Sequence, residues 1–112
     1  MKNLESYKHK KAKEVLSDWL SKEYLVKVEQ TFENSGYPFR PDISVYSGGQ
    51  LQAFYEVVHK SDPSGKTIGR MQMWCYMNNT EVLLHVVNAE YILCQCEKPI
   101  KIEKLTCELI ST

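Results

Sequence analysis

The hydrophobic positions in the first third of the chain predict a helix followed by a strand. Residues 3–24 have the spacing of an amphipathic helix, whose apolar positions are Ala12, Val15, Leu16, Trp19 and Leu20. Residues 24–32 alternate between apolar and polar side chains instead, which predicts a strand with Val26, Val28 and Phe32 on one face. The same alternation places Glu29 on the opposite face, towards solvent.

A β-hairpin is predicted in the middle of the chain. Residues 42–47 and 51–60 have the pattern of strands, and Gly48-Gly49 between them suits a tight hairpin turn. The second of these strands is apolar on both faces, which is typical of a strand in the centre of a sheet.

The second half of the chain predicts another helix and more strands. Residues 67–79 have helical spacing, although Gly69 lowers the intrinsic helix propensity. Residues 80–88 form an apolar strand, and residues 90–98 and 100–110 look like two further strands that close a hairpin around Pro99. This order predicts an α+β fold with a mixed central sheet flanked by helices and a strand-rich C-terminal tail.

Composition limits the classes of protein to which the chain can belong. Its 112 residues most simply form one domain, residues 1–112, with one modest core. The 14 basic residues balance the 14 acidic ones, so bulk charge alone would not bind nucleic acid. The charged N-terminus and the lack of a long apolar run predict a cytoplasmic protein that neither enters nor binds a membrane.

Two carboxylates in otherwise apolar strands are the main chemical signal. Asp42 begins the first strand of the predicted hairpin and Glu56 lies late in the second, so the turn makes them cross-strand neighbours. Like charges directly opposite each other are destabilising unless a cation or a proton neutralises one of them. Two carboxylates, a backbone carbonyl and waters form a ligand set that suits Mg²⁺.

Each acid also has an ordinary structural interpretation. Asp42 follows Pro41 and suits the start of a strand, and Glu56 could be paired with Arg40 or Arg70. Side chains two apart on a strand share a face, so Lys60 lies on the same face as Glu56 and could contribute a positive charge.

The two predicted helices add further candidates at helical spacing. Glu5, His9 and Lys13 are four residues apart on the first helix and line one stripe of it, and Gln72 and Tyr76 do the same on the second. A histidine among lysines is commonly only a solvated surface residue, and the lysines of the first helix can likewise form a wet face.

The ordered set of these motifs resembles the PD-(D/E)xK nuclease superfamily. Pro41-Asp42 matches its "PD" motif, Glu56 matches the second acid, and "QMWCY" (72–76) is similar to the Q-x-x-x-Y pattern of RecB-like nucleases. The stretches "ESYKHKKAKEVLSDWL" and "RPDISVY" also look like the nuclease part of competence-protein CoiA-like sequences. The resemblance covers roughly residues 4–87 and implies a restriction-endonuclease-like core of helix, three strands, helix and strand.

The resemblance implies a metal-dependent nuclease that acts on DNA in preference to RNA. Asp42 and Glu56 would bind Mg²⁺ or Mn²⁺ with the carbonyl of Val57, and His9 or Glu5 would complete the shell. The positions expected to contact nucleic acid are Lys8, Lys10, Lys13 and Tyr76. The resemblance leaves open whether the chain forms a homodimer or is a component of a larger complex.

One position departs from the family pattern. The motif lysine should stand two residues after Glu56, where this chain has Val58. Lys60 and Gln72 are the candidate catalytic replacements. If neither Lys60 nor Gln72 acts, the chain would be a non-catalytic module that binds nucleic acid or a protein. A third alternative is an unrelated α+β binding domain, which would hold Asp42 and Glu56 far apart.

Overall fold

The computed structural model of the protein describes residues 7–33, 36–59 and 63–94, and the backbone of residues 101–105. The helices in this part of the chain are α1 (Tyr7–Leu20), α2 (Gly65–Met77) and α3 (Ala89–Leu93). The strands are β1 (Leu25–Val28), β2 (Ile43–Ser47), β3 (Gln50–Val58), β4 (Val82–Asn88) and β5 (Lys101–Leu105). No helix among the described residues is long and apolar enough to span a membrane.

The strands form one mixed sheet in the order β1-β2-β3-β4-β5. The first three form an antiparallel meander, β4 is parallel to β3, and β5 is antiparallel to β4. A parallel neighbour requires a crossover connection, and α2 provides it between β3 and β4. The predicted mixed sheet flanked by helices and the central place of β3 are therefore confirmed.

Two core clusters lie on the two faces of the sheet. On one face, Ala12 and Leu16 of α1 pack with Ile92 of α3 against the strands. On the other face, Met71 and Cys75 of α2 pack against a second set of strand residues. Because both faces are covered, the central strands can be apolar on both sides.

Side chains of strand β3 contribute to both clusters. Its side chains alternate: Ala53 and Val57 lie in the cluster under α1, whereas Phe54 and Val58 pack in or against the cluster under α2. The Phe54 ring is fully buried. It meets the ring of Phe32 edge to face, with the two centroids 5.2 Å apart.

The β2–β3 hairpin contains one register shift. Val45 pairs with Ala53, but the next residue, Tyr46, pairs with Leu51, so Gln52 is left as an extra residue on β3. Such a bulge bends a strand and changes which residues oppose each other beyond it.

Helix α2 confirms the prediction for residues 67–79 and begins two residues earlier. Ser64 is its N-cap, and its hydroxyl accepts a hydrogen bond from the amide of Thr67. This bond satisfies one of the backbone donors that the first turn of a helix leaves unpaired.

The prediction of a strand over residues 90–98 is wrong for residues 90–93, while residues 95–98 lie outside the described residues. Residues Ala89–Leu93 form α3, and the side chain of Asn88 caps it by accepting a hydrogen bond from the amide of Glu90 at 2.7 Å. The turn of helix buries Ala89 and Ile92, which are three residues apart and so share a helix face. Part of the predicted strand over 100–110 is present as β5, while the proposed hairpin around Pro99 lies outside the described residues.

The prediction of one continuous strand over residues 24–32 is also wrong. Strand β1 ends at Val28, which is exposed, and Glu29 follows with φ of 54° in the left-handed region. This residue breaks the alternation, so Phe32 reaches the cluster under α2, whereas Val26 packs on the other face.

Candidate active site

The candidate site lies at one end of the hairpin formed by β2 and β3. Asp42 directly precedes β2, and Glu56 and Val57 lie near the end of β3. The pairing of Ile43 with Tyr55, continued by one residue, sets Asp42 opposite Glu56.

The two acids are interlocked through the backbone. The amide of Val57 donates a hydrogen bond to Oδ2 of Asp42 at 2.7 Å, and the amide of Asp42 donates one to Oε2 of Glu56 at 3.3 Å. Each carboxylate is thus held by the strand that carries the other. Arg70, considered above as a partner for Glu56, donates instead to the carbonyl of Pro38.

The protonation of Glu56 reflects this crowding. Burial raises the pKa of Glu56 from its ordinary value of 4.5 to about 8, and the neighbouring Asp42 carboxylate adds to the rise. A buried carboxylate beside a second one is costly to ionise, because both the loss of hydration and the like charge disfavour the anion. A proton or a cation is therefore needed at this position.

Glu56 gives the fold a specific pH dependence. Its pKa is higher in the folded than in the unfolded chain, so the folded state binds the extra proton between about pH 4.5 and about pH 8. The free energy of unfolding should therefore fall as the pH rises through that window, by at most about 1.4 kcal/mol per pH unit from this group. Urea unfolding in EDTA at pH 5, 6.5 and 8 should show a steeper decline for the wild type than for Glu56→Gln.

A matched control for this experiment is Glu23→Gln, which removes a carboxylate at an exposed position after α1. Its stability should follow the wild-type pH curve. Parallel curves for the wild type and Glu56→Gln would show that Glu56 ionises normally and that the site is not crowded.

His9 on α1 brings an imidazole to the same end of the sheet. Its Nε2 atom lies 2.6 Å from the carbonyl oxygen of Val57 and 3.6 Å from Oδ2 of Asp42. A carbonyl only accepts hydrogen bonds, so this contact requires the hydrogen on Nε2. As a metal ligand the ring would carry its hydrogen on Nδ1 instead.

Lys13 occupies a different position from the one expected of a nucleic-acid-binding lysine on a wet helix face. Its side chain is only 7% exposed, and its ammonium group is ion-paired with Glu29. The same ammonium lies 3.9 Å from Oδ1 of Asp42. Its hydrogen bond and charge lower the pKa of Glu29, against the effect of partial burial.

Glu29 is the site residue that the sequence did not reveal. The alternating pattern assigned it to the solvent and its side chain is exposed, but the left-handed turn at this residue also lets its carboxylate pair with Lys13. Glutamate has no special preference for that backbone region, so no local signal marks the turn.

The donor atoms at this end of the sheet are of the kinds that a small divalent cation binds. Neighbouring ligands of an octahedral Mg²⁺ lie about 3 Å apart, since each is about 2.1 Å from the ion. His9 Nε2 lies 2.6 Å from Val57 O and 3.6 Å from Asp42 Oδ2, and Oε2 of Glu56 lies 3.3 Å from the amide nitrogen of Asp42. Among the described residues, however, no group of three or more His, Cys, Asp and Glu side chains is placed to hold a metal ion, so Asp42, Glu56 and His9 would have to shift to bind one together.

The remaining predicted residues have other positions. Gln72 is half-buried and Tyr76 is exposed on α2, and no hydrogen bond among the described residues joins either to the acids. Lys8 is exposed and pairs with Glu90 at 3.1 Å, and Lys10 is exposed. Both Glu5 and Lys60 lie outside the described residues.

No protein-family model, curated protein or solved structure matches this chain. The family resemblance stays a prediction from the sequence. What the chain does must therefore be inferred from the chemistry of the site.

Proposed function

We propose that this chain is a Mg²⁺- or Mn²⁺-dependent nuclease that hydrolyses phosphodiester bonds, with DNA as the expected substrate. One observation carries the proposal: Asp42 and Glu56 meet on neighbouring strands beside the Val57 carbonyl and the His9 imidazole. A bound cation would relieve the crowding of the two carboxylates, which a proton on Glu56 otherwise relieves. The element order of helix, three strands, helix and strand supports the restriction-endonuclease-like core that the sequence predicts.

The protein groups that would hold the ion are the carboxylates of Asp42 and Glu56, the carbonyl of Val57 and the imidazole of His9. The ion would supply Lewis-acid polarisation of a phosphoryl oxygen and an activated water. The hairpin fixes the two acids before substrate arrives, because both are hydrogen-bonded to backbone amides, while α1 carries His9. Such preorganisation avoids reorganisation during the reaction.

The exposed lysines of α1 would position the nucleic acid. Lys8 and Lys10 project from the half of the helix that carries His9. The pair between Lys8 and Glu90 is exposed at both ends, and such pairs stabilise a fold only weakly. A phosphate can therefore replace Glu90 as the partner of Lys8 at little cost, which fixes orientation without reading sequence.

Cleavage assays test the proposal directly. The purified chain should cleave plasmid or single-stranded DNA in Mg²⁺ or Mn²⁺ and not in EDTA. Glu56→Gln should lower the rate by about 100-fold or more, since a lost ligand removes several kcal/mol of charge stabilisation. Glu23→Gln is the matched control and should cleave at the wild-type rate. Cleavage that survives Glu56→Gln unchanged would come from a contaminant and would contradict the assignment.

A second candidate function is a non-catalytic module that binds nucleic acid or a protein through the same fold. Val58 favours it, because this residue stands where the motif lysine is expected and packs against the cluster under α2. This candidate predicts no cleavage in any metal.

A further inference from the structure

We propose that the ammonium group of Lys13, positioned by Glu29, contacts the phosphate of the bound nucleic acid in place of the lysine that β3 lacks at Val58. This inference rests on the proposed nuclease site. It assigns a role inside the site to Lys13, which was expected on a wet helix face, and to Glu29, which was expected to face solvent.

The first support is the burial of Lys13. Lysine is almost never buried unless it is paired, because its ammonium loses hydration. Here the side chain is 7% exposed and pairs with Glu29, and α1 places it one turn after His9. The helix thus brings an imidazole and an ammonium to the same carboxylate, Asp42.

The second support is the way Glu29 is fixed. Its left-handed backbone is uncommon for a residue with a side chain and costs roughly 1 kcal/mol or more. Its amide donates a hydrogen bond to the carbonyl of Asp42 at 2.9 Å, while its carboxylate holds Lys13. Glu29 therefore ties the position of the ammonium to the backbone of Asp42.

The third support is charge placement. The ammonium lies 3.9 Å from Oδ1 of Asp42. A fixed positive charge at this place suits the negative charge that develops on a phosphate oxygen during cleavage. A lysine two residues after Glu56 would supply the same charge from β3, but that position holds an apolar side chain.

The fourth support is access from solvent. A groove of about 410 Å³ opens between α1 and the end of β1, and Lys13 and Glu29 line it together with Lys10, Glu14 and Val28. A buried ammonium at the wall of an open groove can be reached by a ligand, whereas one inside the core cannot.

The test compares three substitutions that each remove one lysine charge: Lys13→Met, Lys60→Met and Lys10→Met. Cleavage in Mn²⁺ should fall about 100-fold or more in Lys13→Met, and only a few-fold in the other two. Binding of a labelled single-stranded oligonucleotide, with Ca²⁺ in place of Mn²⁺, should weaken about tenfold in Lys13→Met and less in Lys10→Met. Binding of Mn²⁺ alone should be retained in Lys13→Met, because a competing positive charge beside Asp42 has been removed.

Glu29→Gln tests the positioning role. It should lower kcat about tenfold and leave the affinity for Mn²⁺ unchanged, which general damage to the site would not do. If Lys13→Met does not fold, the double variant Lys13→Met/Glu29→Gln removes both charges of the pair together and must show the same losses.

The outcomes separate the two proposals. Wild-type cleavage and oligonucleotide binding in Lys13→Met, or loss of cleavage in Lys60→Met alone, would overturn the role of Lys13 and leave the nuclease proposal intact. A wild type that never cleaves, yet loses oligonucleotide binding on Lys13→Met, would overturn the nuclease and support the phosphate contact. A wild type that neither cleaves nor binds overturns both.

Discussion

Asp42→Asn is expected to weaken Mn²⁺ binding about 100-fold or to abolish it, since ligand charge sets the affinity of oxygen sites for divalent cations. The substitution is nearly isosteric, and an asparagine oxygen can still accept the hydrogen bond that the Val57 amide donates at 2.7 Å. The local structure should therefore survive while the charge is lost. Isothermal titration calorimetry with MnCl₂ at pH 8, together with thermal unfolding with and without the ion, measures the effect.

Asp18→Asn is the matched control, because it removes the same charge from an exposed position on α1. It should bind Mn²⁺ as the wild type does. Equal affinity in the wild type and Asp42→Asn would mean that the ion binds elsewhere. Binding that depends on Asp42 without cleavage under any condition would favour the non-catalytic module.

Phe54→Ala is expected to have the largest effect on stability. Phe54 is fully buried, and its ring centroid lies 5.5 Å from that of Phe39 and 6.4 Å from that of Trp74. Removing a buried phenyl ring costs about 3 to 5 kcal/mol through lost burial and the cavity left behind. Domains of this size have only about 5 to 15 kcal/mol in total, so urea denaturation should show a far lower midpoint.

Tyr37→Ala provides the comparison, since Tyr37 is an aromatic residue that is 56% exposed. It should change the free energy of unfolding by no more than about 0.5 kcal/mol. A loss below about 1.5 kcal/mol in Phe54→Ala would mean that the aromatic cluster repacks and does not anchor β3.

The elements that carry a strong pattern were predictable from the sequence. The central position of β3 followed from apolar side chains on both of its faces, and a helix covers each face. The Gly48-Gly49 turn indicated the hairpin, and both glycines adopt positive φ there. The hairpin brought Asp42 and Glu56 to the same end of the sheet, and the bulge at Gln52 sets them directly opposite each other.

Short elements fixed by a single local contact were harder to predict. The segment "AEYIL" is apolar enough for a strand, and only the capping bond from Asn88 and the burial of Ala89 and Ile92 make it α3. A five-residue segment carries too little periodicity to separate the two cases.

The pairing of Lys13 with Glu29 could not be predicted, because it is a contact between residues distant in sequence. Helical spacing placed Lys13 on the stripe of His9 and apart from Lys10, but nothing in the run of lysines indicated that Lys13 is buried. Their difference arises only when β1 brings Glu29 beside Lys13 and leaves Lys10 exposed.

The extra residue Gln52 sets the register in which β2 and β3 pair at the two acids. It lies between the turn and the acids, and the register of Ile43 with Tyr55 holds only beyond it. Without this bulge, the register of Tyr46 with Leu51 would continue along the hairpin and set Asp42 against Tyr55. A change that loses this bulge would therefore separate the two acids with both of them still in the sequence.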